Sequence, residues 1–105
     1  QFINSGGLKI NPVITENLAN EFLQSIHKPL DLFAIGLPDP KLGERQVLFI
    51  ESETNESIKE NLLYVIGQTL ERYKAPKEII FVPRFELTQT GKIDKRKTAE
   101  RYLNG

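Results

Sequence analysis

Two sets of apolar residues recur every four positions: Ile14, Leu18, Phe22 and Ile26, then Ile58, Leu62, Ile66 and Leu70. Each set draws one apolar stripe along a helix. Between and after them lie "LDLFAIGL", "QVLFIES" and "KEIIFV", short and nearly continuous apolar runs that read as buried strands. A one-striped helix can hide its apolar face only against another element. The class this predicts is α+β: a small β-sheet of about three main strands plus an N-terminal hairpin, covered by helices.

Local signals set the boundaries. In "FINSGGLKI", the pairs Phe2 with Ile3 and Leu8 with Ile10 flank Gly6 and Gly7, the pattern of a short hairpin. Asn11 caps a helix whose first residue is Pro12. "PDPKLGER" reads as a turn-rich loop between the first two long strands. The second helix starts near Asn55 or Ser57, and Ser57 with Glu60 has capping-box spacing. "PRFELTQTG" reads as a loop and "DKRKTAERYL" as a last helix.

Composition narrows the function. A chain of 105 residues fits one domain with a modest core, smaller than most complete two-substrate enzymes. Fourteen basic residues balance fourteen acidic ones, so no global field draws it to nucleic acid or an anionic membrane. Without cysteine there is neither a disulfide framework nor a thiolate metal site, which suits a reducing cytoplasm. No apolar run has membrane-spanning length and no signal peptide opens the chain. "QFINSGG" lacks an initiator methionine and starts mid-pattern, the expectation for a domain of a longer protein.

"LTQTGKIDKR" carries the most chemistry. Its Gly91-Lys92 pair invites a phosphate-loop reading, but that loop needs a glycine at Glu86 and a Ser or Thr at Ile93. Lys95, Arg96, Lys97 and Arg101 lie near Asp94 and Glu100 and read as a solvated helix face, with a specific phosphate contact as the alternative. His27 ends the first helix, where a carbonyl contact is its ordinary role; with no cysteine or second histidine it builds no metal site. Asp39 before Pro40 is a turn former. A small RNA-binding module using "GKIDKRK" is the rival of another class. It is disfavoured by neutral charge, by the absence of aromatics among the basic residues and by the single glycine cluster of "SGGL".

Four segments, in order and at matching spacing, resemble the C-terminal domain of the adenylate-forming enzymes, the superfamily of acyl-CoA synthetases, peptide-synthetase adenylation domains and luciferases. They are "SGGLKINPVITE" (Gly6, Gly7, Ile10, Pro12, Glu16), "AIGLPDPKLGE" (Gly36, Pro38, Asp39, Gly43, Glu44), "YKAPKEIIFV" (Tyr73, Lys74, Pro76) and "LTQTGKIDKR" (Thr88, Gly91, Lys92). Glu86 departs from the family's usual proline and Ile14 from its frequent glutamate. "INSGGLKINP" is similar to the o-succinylbenzoate–CoA ligases of menaquinone biosynthesis.

The resemblance implies an ATP-dependent acid–thiol ligase whose C-terminal domain swivels on a hinge at or just before Gln1 and is inactive alone. Lys92 matches the lysine that reaches the large N-terminal domain's site as a carboxylate attacks the α-phosphate of ATP. Thr88 and Gly91 match the loop that supports it. Ser5, Gly6, Gly7 and Lys9 fall where family members line the tunnel for a pantetheine arm. ATP and Mg2+ are expected mainly on the large domain, with CoA as co-substrate and a carrier protein as the alternative acceptor. No metal site, nucleic acid partner or membrane span is expected in this chain.

Overall fold

Asn11 and Asn55 decide where the two long helices begin. Both are extended, and their side-chain oxygens accept from the backbone N–H of Val13 and Ile58. Each removes an otherwise orphaned donor from a first turn. The computed structural model describes residues 1–104. The strands are β1 (Ile3–Ser5), β2 (Leu8–Ile10), β3 (Leu32–Asp39), β4 (Gly43–Glu51) and β5 (Glu78–Val82). The helices are α1 (Pro12–Ser25), α2 (Glu56–Thr69) and α3 (Lys95–Asn104), with a single 3₁₀ turn at Arg72–Lys74.

The five strands form one mixed sheet around β4. Its antiparallel partner β3 runs in register from Leu32↔Ile50 to Asp39↔Gly43. The opposite edge is shared: β1 meets it at Ser5↔Gly43, and β5 runs parallel to it from Val47↔Glu78 to Glu51↔Val82. Parallel pairing needs a crossover, and α2 supplies it.

The strand runs read as continuous because both faces are covered. On one face, Ala19 and Leu23 of α1 and Ile58, Leu62 and Ile66 of α2 pack on Ala34, Leu48, Ile50 and Ile79. On the other, Phe33, Leu37, Val47, Phe49 and Ile80 are closed by Phe85 and Ala99. Phe33 stacks on Phe49 with ring centroids 5.1 Å apart, and Phe85 meets Phe33 edge-on at 5.0 Å.

Four boundaries differ from the sequence expectation. The buried face of α1 is Pro12, Thr15, Ala19 and Leu23, while Ile14 and Ile26 are largely exposed and Leu18 and Phe22 flank the core. Positions four apart drift about 40° around a helix, and the small Thr15 and Ala19 let the helix sit close to the sheet. Asn55 rather than Ser57 caps α2, so the capping box does not form. The expected loop "PDPKLGER" is mostly strand. Only residues 40–42 turn, because Asp39 Oδ1 accepts from the N–H of Lys41 (2.9 Å) and Leu42 (2.8 Å) and closes the hairpin tightly. His27 takes a left-handed φ of 55°, with His27 N–H on the Gln24 carbonyl and Lys28 N–H on that of Leu23. That is a Schellman cap with histidine where glycine is usual.

The buried polar groups are paired. Gln46 receives the Thr15 hydroxyl at 2.8 Å and donates to the Lys74 carbonyl at 3.0 Å, joining α1, β4 and the 3₁₀ turn. No helix among the described residues is long and apolar enough to cross a membrane.

Candidate functional site

The segment that carries Lys92 is a loop between β5 and α3, closed into a hydrogen-bonded hairpin. Leu87 and Ile93 form an antiparallel bridge, flanked by Thr88 N–H to the Lys92 carbonyl (2.7 Å) and Asp94 N–H to the Glu86 carbonyl (2.8 Å). Its tip closes through Gly91 N–H to the Thr88 carbonyl (3.0 Å), and the positive φ of 87° at Gly91 then turns the chain back toward the first stem. Thr88 Oγ1 accepts from Lys92 N–H at 3.2 Å and lies 3.2 Å from the Thr90 hydroxyl. Lys92 is exposed, and among the described residues its ammonium has no carboxylate partner. A rigid tip thus holds out a solvated cation.

The stems rest on the aromatic face. Phe85 is buried there and Ile93 packs beside it. Phe85 N–H donates to Glu51 Oε2 at 2.7 Å, and Asp94 Oδ1 caps α3 by accepting from Lys97 N–H at 2.9 Å. Glu86 pairs with Arg101 of α3, and its N–H donates to the Thr98 hydroxyl at 2.9 Å. From the sequence, Thr98 carries no expected role and Arg101 reads as part of a solvated face or a phosphate contact, not as this pairing; the signal available is the unusual Glu86.

The second glycine site lies at the other end of the chain. Gly6 and Gly7 have φ of 58° and 82°, so β1 and β2 are joined by a two-residue turn with both central residues left-handed. Gly6 N–H donates to the Leu42 carbonyl at 2.8 Å, and a Cβ there would lie 3.3 Å from Leu42 Cδ2. A Cβ on Gly7 would meet no atom within 4 Å. Lys9 is exposed, whereas Ser5 is buried against β4. Glu44 Oε1 holds the hairpin in place by accepting from Asn4 N–H at 2.8 Å.

A cleft of about 420 Å3 is lined among others by Ile3, Val13, Leu37, Lys95 and Arg96. Glu16 at its wall accepts from Ala34 N–H at 2.9 Å and lies 4.0 Å from the Lys95 ammonium. Lys92, Gly6 and Gly7 lie outside it. Among the described residues no group of three or more His, Cys, Asp or Glu side chains could hold a metal ion.

Fold and sequence agree on the class. The AMP-binding enzyme C-terminal domain family matches residues 21–92, and the chain belongs to that family. It is 39% identical over 101 residues, 95% of this chain, to a 2-succinylbenzoate–CoA ligase of Listeria monocytogenes, and 32% identical over 100 residues to a long-chain-fatty-acid–CoA ligase of Mycobacterium tuberculosis. It spans about a fifth of each of these relatives (20% and 19%). Among solved structures, an acyl-CoA synthetase (AMP-forming)/AMP-acid ligase II-like protein from Dyadobacter fermentans superposes with a TM-score of 0.87 at 36% identity, over 95% of this chain and 29% of that one.

Proposed function

We propose that the chain is the mobile C-terminal domain of a cytoplasmic ATP-dependent carboxylic acid–CoA ligase, and that Lys92 is its adenylation lysine. The observation that carries this reading is the exposed Lys92, without a carboxylate partner among the described residues, on a hydrogen-bonded hairpin tip. In the first half-reaction a carboxylate oxygen bonds to the α-phosphorus of ATP, the bond to the bridging oxygen breaks, and pyrophosphate leaves with its electron pair. Two anions approach each other and negative charge grows on the phosphoryl oxygens. An ammonium on a long stem offsets both. Thr88 and Gly91 keep its backbone from yielding as the charge is engaged.

In the second half-reaction a CoA thiol attacks the acyl carbon and AMP departs. In this reading Gly6, Gly7 and Lys9 border the pantetheine arm, and the open side of Gly7, where an added Cβ meets nothing within 4 Å, supports it. Ser5, being buried, contributes by seating β1 on β4. Among the described residues no cluster of three or more His, Cys, Asp or Glu side chains could hold a metal ion; in this reading Mg2+ travels with ATP on the large domain, and no step here is routed through it. We favour CoA over a carrier protein as acceptor, and 2-succinylbenzoate, the menaquinone precursor, as the acid, on the 39% identity to a ligase of that name.

The test uses the complete ligase that carries this domain. Lys92→Ala is expected to slow acyl-adenylate formation by about 100-fold, the scale for losing one well-aimed donor. Thioester formation from supplied acyl-adenylate is expected to stay within about twofold, a ratio worth only about 0.4 kcal/mol. Equal losses in both half-reactions would overturn the reading.

A further inference from the structure

One hydroxyl joins the lysine hairpin to the last helix. Thr98 is 3% exposed; its Oγ1 donates to the Asp94 carbonyl at 2.8 Å and accepts from Glu86 N–H at 2.9 Å. Asp94 N–H in turn donates to the Glu86 carbonyl at 2.8 Å. The two stems of the hairpin and the first turn of α3 thus close into one ring of hydrogen bonds. The Glu86–Arg101 ion pair reinforces it one turn further along the helix.

This arrangement has a cost that helix stability alone does not explain. Threonine is a mediocre helix former, and a hydroxyl turned back on the helix's own carbonyl weakens that turn slightly. At an inward-facing position beside the buried Ala99, an apolar residue would serve the core better. What the hydroxyl adds is a partner for the N–H of Glu86, which would otherwise be left part-buried and unpaired. A proline at position 86 would carry no such N–H. Glu86 and Thr98 therefore form a matched pair, and Thr98 and Arg101 lie beyond the segment that matches the family.

We propose that Thr98 is the positioning residue for Lys92, locking the lysine hairpin to α3 so that the two turn as one rigid body. The inference rests on the reading of Lys92 as the adenylation lysine. Without the hydroxyl the stems are held less tightly on α3, and the Lys92 ammonium, two residues from Asp94 at the stem base, moves with them. Misplacement by about 1 Å can cost about 100-fold in a step that depends on alignment. Because Asp94 N–H and Phe85 still hold the stems, the expected loss is smaller, about tenfold.

The experiment uses Thr98→Val, which keeps the shape and removes the hydroxyl, and Thr98→Ser, which restores it, both in the complete ligase. Thr98→Val is expected to lower kcat for acyl-adenylate formation about tenfold with KM for ATP little changed. Thioester formation from supplied acyl-adenylate should be unaffected, and Thr98→Ser should recover most of the rate. Peptide-level hydrogen exchange supplies a readout independent of activity: the segment 84–94 should exchange faster in Thr98→Val while α2 is unchanged. If Thr98→Val does not fold, Thr98→Ala carries the same expectations. Wild-type adenylation in the valine variant, equal slowing of both half-reactions, or unchanged exchange over 84–94 would overturn the proposal. If Lys92→Ala itself shows no selective defect, the functional reading fails instead, and the exchange result still decides whether the clamp exists.

Discussion

The two faces of the sheet are closed by different means. One is aliphatic and roofed by α1 and α2, each of 14 residues, whose buried side chains come at regular helical spacing. The other is aromatic, and its cover is assembled from separate pieces: Phe85 from an extended segment, Ala99 and Tyr102 from the ten-residue α3, and Ile93 from a hairpin stem. Most of the fold's apolar closure lies on the first face. The second is left with a light cover from which a hairpin can project a charged side chain.

Substitutions on either side should separate stability from chemistry. Leu62→Ala, in the fully buried aliphatic face, is expected to cost about 3 kcal/mol of stability, with both half-reactions of the folded ligase intact. A selective catalytic defect there would erase the contrast between the faces. Phe85→Leu should cost less, about 1–2 kcal/mol, yet slow adenylation selectively because Phe85 seats the lysine hairpin. Melting temperatures read against the two half-reaction rates check both variants.

Gly7 gives a finer comparison, between two substitutions at one turn. Alanine and leucine share the strain of a positive φ there, of order 1–2 kcal/mol, but only leucine adds bulk on the open side. Thioester formation is expected to be about tenfold slower in Gly7→Leu than in Gly7→Ala, with equal melting temperatures and unchanged adenylation. Equal rates for the pair would reduce Gly7 to a turn residue.

The smallest effect concerns Asp39. The N–H groups of Leu42 and then Lys41 hold its carboxyl below the ordinary value, with a lesser pull from the charges of Arg45 and Lys41. A depressed folded-state pKa adds stability above the unfolded value, and this is lost as pH falls through the folded one. Asp39→Asn should therefore flatten slightly the acid limb of melting temperature against pH, below about pH 4, and leave neutral behaviour alone. An unchanged acid limb would show that the turn holds without the charge.

The same asymmetry decides what the sequence could show. The α2 stripe Ile58, Leu62 and Ile66 was readable because one helix supplies it. The α1 stripe was misplaced because its burying residues include Thr15 and Ala19, which periodicity in large apolar side chains does not register. β3 and β4 run past the apolar stretches into the turn-rich segment, since the hydrogen bonds of Asp39 compress it into a three-residue turn. Lys92 stood out through its neighbours in sequence. Thr98 did not, because its meaning depends on an N–H twelve residues away, and no local pattern reports such a pairing.

The shared edge of β4 has a consequence for the order in which the chain folds. The β3–β4 hairpin closes over three residues, whereas β5 must cross all of α2 to reach the same strand and β1 joins it at a single pair. Short closures are made with little loss of chain entropy, and distant pairings need a preformed template. β4 is that template: β5 and the locally closed β1–β2 hairpin join the rest of the sheet only through it. Changes within β3 and β4 should then fall mainly on the folding rate, and changes in β5 or β1 on the unfolding rate. The domain's lifetime and its speed of formation are thus tunable from different strands.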